Sequence, residues 1–256
     1  MVKKRLIGVV TILNGAAVQS FSYKHYLPLG NPLCIIQNLD RWRVDEILIQ
    51  VIDRSANQLG PDFELLNKLR EIKISTPLIY SGGIRNVSDA INVIKHGSDR
   101  IALDYLLRNS NNELKSISKA LGSQALIASL PIINNGKQLF LYNYESKTII
   151  NFEKEFLENI SNKEIFSEVL LINKENEGLP NSFDIDLISL FPKVDISLIA
   201  FGGISEKKQI QELFSYKQVS ALGIGNFLNY REHSVQLIKE SIKSDFLRSP
   251  IYSSSV

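Results

Sequence analysis

The sequence predicts a single α/β domain, a (β/α)8 TIM barrel built from two similar half-barrels. Three observations carry that reading. The chain has 256 residues, close to the ~250 that one such barrel needs. Eight short apolar runs alternate with amphipathic stretches along it. Segments of the first half also return, in order, in the second.

The runs Leu6–Ile12, Glu46–Ile52, Pro77–Ser81, Arg100–Leu103, Ala125–Leu130, Val169–Ile172, Ile196–Phe201 and Ser220–Ile224 are nearly continuous in apolar character. That is the pattern of parallel strands covered on both faces. Between them, Asp62–Ile72 places Phe63, Leu66 and Leu69 at helical spacing with Glu64, Lys68 and Arg70 outside. Val87–Lys95 follows Asn86, a favourable N-cap.

The repeat narrows the architecture. Leu78–Ile84 (LIYSGGI) returns as Leu198–Ile204 (LIAFGGI), 120 positions on, and Asp45–Ile49 returns as Ser167–Leu171, 122 positions on. Arg100–Leu103 has its counterpart at Ala221–Ile224. Matches at almost one offset point to a duplicated unit of four βα pairs, with halves at about 1–120 and 121–248 and a Ser-rich flexible tail over 249–256.

Composition excludes several classes. Basic and acidic residues number 29 and 27, a net charge of +2, which gives no field for nucleic acid or a membrane surface. The single Cys34 rules out an internal disulfide framework and fits a reducing, cytoplasmic setting. The basic start Met1–Arg5 and apolar Leu6–Leu13 resemble a signal peptide, but no small-residue cleavage pattern follows. The segment reads as a first buried strand. No apolar run approaches the ~18–20 residues of a membrane span. His25, His96 and His233 lack metal-ligand spacing, and neither a metal nor a cofactor is expected. Trp42 reads as a helix-packing residue.

Gly82-Gly83 and Gly202-Gly203 stand where a strand ends and a loop opens, and Gly178, Gly225 and Asn226 follow later strands. Backbone amides without Cβ shielding can approach a phosphate there, on the face where barrels bind phosphate. Gly83, Gly178, Gly202, Gly203, Gly225 and Asn226 are therefore the candidate phosphate or ligand contacts. Tight turns are the competing explanation of the glycines. In the first half Asp104 and Tyr105 replace Gly225 and Asn226; the carboxylate repels a phosphate and the tyrosine crowds it.

Arg5, Glu46, Arg100 and Glu168 each stand at the beginning of a strand. Arg5 and Thr11 are six apart and point the same way along a strand. Alternating signs let four inward charges neutralise one another, where an unpaired charge is costly.

Together, Lys4–Ile7, Asp45–Leu48, Gly82–Ile84, Gly122–Gln124, Glu168–Leu171 and Gly202-Gly203 resemble the cyclase subunit (HisF) of imidazole glycerol phosphate synthase. The resemblance covers essentially the whole chain. It implies a half-barrel duplication that pairs with a HisH-type glutaminase, takes ammonia through the barrel and closes an imidazole ring in histidine biosynthesis. It makes Arg5, Glu46, Arg100 and Glu168 the ring that gates ammonia, with arginine at 100 where lysine is more usual, and Asp99 and Gln124 glutaminase contacts. The family's two catalytic aspartates fall on Thr11 and Pro131, and its loop lysine on Gln19. No Asp or Glu occurs from Val2 to Asn38 or from Leu121 to Leu141, so no small shift of alignment restores either acid. General acid–base work needs ionisable groups, and the usual cyclase reaction is expected to be lost.

A kept floor and a lost top imply a divergent paralogue, like the barrels associated with sugar amidotransferases in surface-polysaccharide clusters. Such a subunit docks a glutaminase and passes ammonia to a third protein, a sugar amidotransferase. One alternative is an active cyclase using a replacement acid among Asp53, Asp104, Glu175 and Glu177. Another is a noncatalytic scaffold that activates a glutaminase.

Overall fold

The computed structural model describes residues 3–136, 138–152, 154–242 and 247–252. The eight apolar runs form a closed parallel barrel: β1 (Arg5–Leu13), β2 (Glu46–Val51), β3 (Leu78–Ser81), β4 (Arg100–Leu103), β5 (Leu126–Asn134), β6 (Glu168–Asn173), β7 (Ser197–Phe201) and β8 (Val219–Ile224). β8 returns to β1 with Arg5 opposite Ala221, and β6 bridges β5 and β7, so the cylinder has no open edge. The expected helices stand at Phe63–Glu71, capped by the Asp62 side chain, and at Val87–Lys95, capped by Asn86. Trp42 packs against the core at the end of helix Pro32–Arg41. Among the described residues no helix is long and apolar enough to cross a membrane. Residues 253–256 of the expected tail lie outside the described residues, and Tyr252 donates a hydrogen bond to Glu240.

β1 and β5 outrun their expected ends because each continues into an antiparallel hairpin that the apolar-run pattern does not reveal. The first is Ala16–Phe21 with His25–Gly30; the second is Leu139–Asn143 with Thr148–Asn151. Asn14 (φ 50°) and Gly15 (φ 78°) form the two-residue turn into the first hairpin, the geometry for which Asn-Gly is suited. Both hairpins rise from the C-terminal end of the barrel and cover its mouth.

The core has two layers. Ile7, Val9, Leu48, Ile127, Leu170 and Phe201 fill the barrel interior, and a larger cluster lies between strands and helices. The start of β2 is tied to helix Ser234–Ile242 by a buried ion pair. Lys239 Nζ lies 2.9 Å from Asp45 Oδ1, with side chains 2% and 5% exposed. The second Asp45 oxygen accepts the Leu6 N–H at 2.7 Å. A buried pair is costly to break because the survivor's charge loses its close partner; the remaining cation near Asp45, Arg248, is half-exposed and 4.0 Å away. Lys239→Ala is therefore expected to lower unfolding free energy in urea by about 3–5 kcal/mol. Adding Asp45→Asn should return part of that loss. A Lys239→Ala protein as stable as its parent would exclude this role.

Candidate functional site

Period-two alternation turns Arg5, Ile7, Val9 and Thr11 to one side of β1, and Ile7 and Val9 lie in the inner cluster. Glu46, Arg100 and Glu168 stand two residues before the inner Leu48, Ala102 and Leu170. All four enter the barrel from its N-terminal end and meet there. Arg5 Nη1 donates to Glu46 at 2.9 Å and Nη2 donates to Glu168. Arg100 Nη1 reaches Glu168 at 2.8 Å and Glu46 at 3.4 Å. Each cation touches both anions, and none of the four side chains is more than 15% exposed.

Neighbours complete the ring. Ser220 Oγ donates to Glu168 at 2.5 Å, Arg100 Nη2 donates to Ser167 Oγ at 2.8 Å, and Arg100 Nε donates to the Gln124 carbonyl at 3.1 Å. Asp99 accepts the Leu78 N–H at 2.8 Å where β3 begins. Asp99 and Gln124 are exposed beside the ring at this end.

The two carboxyls titrate in opposite directions. Burial raises both. At Glu168 the two arginines and the Ser220 hydroxyl outweigh it, and the acid lies below the ordinary carboxylate range. At Glu46 burial outweighs the same arginines and the acid lies above that range. The geometry accounts for the difference, because Glu46 Oε2 is buried without a hydrogen-bond partner among the described residues. The depressed Glu168 contributes stability that is present above its unfolded pKa and lost as pH falls through its folded pKa. The raised Glu46 carries a cost at neutral pH, relieved as pH falls toward its folded pKa. Near pH 7, Glu168→Gln should lower unfolding free energy by about 1–3 kcal/mol and Glu46→Gln by less. Equal losses in urea unfolding would contradict this assignment.

The opposite end is built differently. Thr11 shares the inward parity of Ile7 and Val9, and Pro131 that of Ile127. Both are buried and neither ionises usefully. Above them the first hairpin lowers Tyr23 onto the inner cluster, where its hydroxyl donates to Gln50 at 3.1 Å. Tyr23 has φ 54°, a left-handed backbone that a bulky residue adopts under strain. Tyr144 of the second hairpin meets Tyr23 edge-on at 5.6 Å, and its hydroxyl is buried without a partner among the described residues. These tyrosines escaped the sequence reading. Asn14-Gly15 signals the turn, but nothing local says where the hairpin tip lands.

The acids at this end are held by the chain. Glu177 is 2% exposed; it accepts the Ser20 hydroxyl at 2.7 Å, and its carbonyl accepts the Ser22 N–H. Burial raises its acid against those hydrogen bonds, and burial likewise raises Asp104 against Arg108. Asp53 accepts the Asn14 N–H at 3.1 Å, while Glu175 is exposed.

Gly178, Gly203, Gly225 and Asn226 line one cavity of about 90 Å³ with Glu177, Phe201 and Tyr230. Packing alone demands glycine at two of these places. A Cβ on Gly178 (φ +81°) would fall 1.8 Å from the Ser20 carbonyl oxygen, and one on Gly203 (φ +88°) 2.4 Å from Ser182 Oγ. Asn226 Nδ2 donates to the Ser20 carbonyl at 2.7 Å, fastening the hairpin to the cavity wall. Gly202 lies against Asn173, beside this cavity. Gly83 is apart from it, packed under Leu59 and Gly60.

Comparison with known proteins accords with this architecture. A family model described as histidine biosynthesis protein matches residues 5–234. The chain is 28% identical to a provisionally named imidazole glycerol phosphate synthase subunit hisF2 of Vibrio vulnificus (strain YJ016), over 95% of this chain and 90% of that one. It is 25% identical to the imidazole glycerol phosphate synthase subunit HisF of Thermococcus gammatolerans (94% and 95% covered). It is 24% identical to that of Staphylococcus aureus strain MRSA252 (95% and 97% covered). With its closed barrel and the charged ring at one end, the chain belongs to the histidine biosynthesis protein family as a divergent HisF-like barrel.

Proposed function

We propose that this chain is the barrel subunit of a glutamine amidotransferase complex. It docks a HisH-type glutaminase at its N-terminal face, conducts ammonia and lacks the usual cyclase acid–base pair. The ammonia goes to a third protein, a sugar amidotransferase of surface-polysaccharide synthesis. The contrast between the two barrel ends carries this reading. Four paired charges stand at the floor, and Thr11 and Pro131 stand at the positions where the cyclase needs carboxylates.

The physics fits the role. Ammonia must stay neutral to remain a nucleophile, and an aliphatic interior keeps bulk water from protonating it. The four ring side chains touch one another, so passage requires them to part. Arg5 and Arg100 each join both glutamates, so passage requires an arginine to release one of them. At the other end Leu27, Leu59, Leu179, Phe227 and Tyr230 are exposed on the loops around the mouth. A surface of that kind suits a protein partner, and the cavity lined by Gly178, Gly203 and Gly225 suits a small ligand or phosphate.

The test is co-expression with the glutaminase encoded nearby. The two should co-purify and glutamine hydrolysis should rise. Arg5→Ala should lower glutamine-dependent transfer several-fold with little change in the use of free ammonium. A barrel that never alters a glutaminase would overturn the proposal.

A second reading, an active cyclase, has one observation in its favour. Tyr144 feels the charges of both Glu177 and Asp104, whose acids are raised toward the range useful for proton transfer. Turnover of the normal nucleotide substrate with ammonia, abolished by Glu177→Gln or Asp104→Asn, would establish it.

A further inference from the structure

A second cleft, of about 380 Å³, lies outside the barrel axis between helix Tyr105–Asn109, the second hairpin and helix Lys154–Ile160. It is separate from the mouth and from the glycine-lined cavity. Arg108 is the ionisable side chain on its wall among the described residues. That side chain is more than nine-tenths buried, with 8% of its surface exposed.

The guanidinium is poorly satisfied. Its Nη2 lies 3.9 Å from Asp104 Oδ2, too far for a hydrogen bond. Its Nε and Nη1 are buried and meet no acceptor among the described residues. Burial raises the Asp104 acid against the attraction of Arg108. A cation held this way is expensive unless something else supplies acceptor oxygens. Asn109, Asn151 and Asn159 stand on the same wall, and Leu141 and Phe156 form an apolar side.

We propose that this cleft is a binding site for a small hydroxylated anion, with its carboxylate or phosphate on Arg108 and its hydroxyls on the asparagine amides. Planar guanidinium donors match the acceptor geometry of either anionic group. The asparagines provide both donors and acceptors, as hydroxyl groups require. The apolar side takes the hydrocarbon face of the ligand, and the volume is that of a small-molecule site.

The test is titration of the isotope-labelled full-length chain with inorganic phosphate, gluconate and glycerol, following the backbone amides of Asn109, Asn151 and Asn159. Saturable shifts with phosphate or gluconate, and none with glycerol, are expected. Arg108→Gln should weaken that binding by about tenfold or more, because the charge-assisted hydrogen bonds are lost. Asn151→Leu leaves the guanidinium in place and should weaken gluconate more than phosphate, which makes the test independent of whether Arg108→Gln folds. Unchanged affinity in Arg108→Gln, equal response to glycerol, or anion-induced shifts confined to Gly203 and Asn226 would overturn the site.

Discussion

Two arginines and two glutamates, alternating around the floor of the barrel, set the terms for the rest of this molecule. They arrive from β1, β2, β4 and β6, which are far apart in sequence and neighbours only once the cylinder has closed. Each guanidinium needs both carboxylates, so a change in height of one strand would leave charges unmatched in a poorly hydrated space. The ring therefore favours one relative stagger of the strands. It also closes the floor of the barrel without a bulky plug.

The other end is sealed by tyrosines on two hairpins instead of by paired charges. Tyr23 is held in a strained backbone by Gln50 below and by the loop that carries Glu177 alongside. Asn226 fixes the same hairpin from the β8 side. The residues that would surround a ligand in a working mouth are thus engaged in fastening the hairpin. Thr11 and Pro131 bring no charge to this end, and aromatic groups of the two hairpins occupy the space above them.

The barrel axis thus joins a ring of paired charges to a mouth covered by two hairpins. The Arg108 cleft lies off that axis, on the outer side of the second hairpin. Its distinguishing feature is electrostatic: a buried cation whose carboxylate neighbour, Asp104, is beyond hydrogen-bond distance.

Much of this was legible in the residues themselves. Near-continuous apolar runs such as Leu6–Ile12 and Val169–Ile172 specify strands buried on both faces, since no other element suits them at that length. The period of two sends Arg5 and Thr11 to the same side, so membership of the ring and absence of an acid at the mouth follow from one count along β1. Other features could not be read along the chain. Glu46 and Glu168 occupy equivalent strand starts, yet one acid lies above the ordinary range and the other below it, because Glu168 accepts the Ser220 hydroxyl while Glu46 Oε2 has no partner among the described residues. Tyr23 reads as an ordinary loop residue until the hairpin folds over the barrel. Sequence determined fold class and inward-facing positions because both depend on local periodicity and solvent exclusion. Tertiary structure decided titration, closure of the mouth and the stranded Arg108, because each depends on distances between segments that meet only after the cylinder has closed.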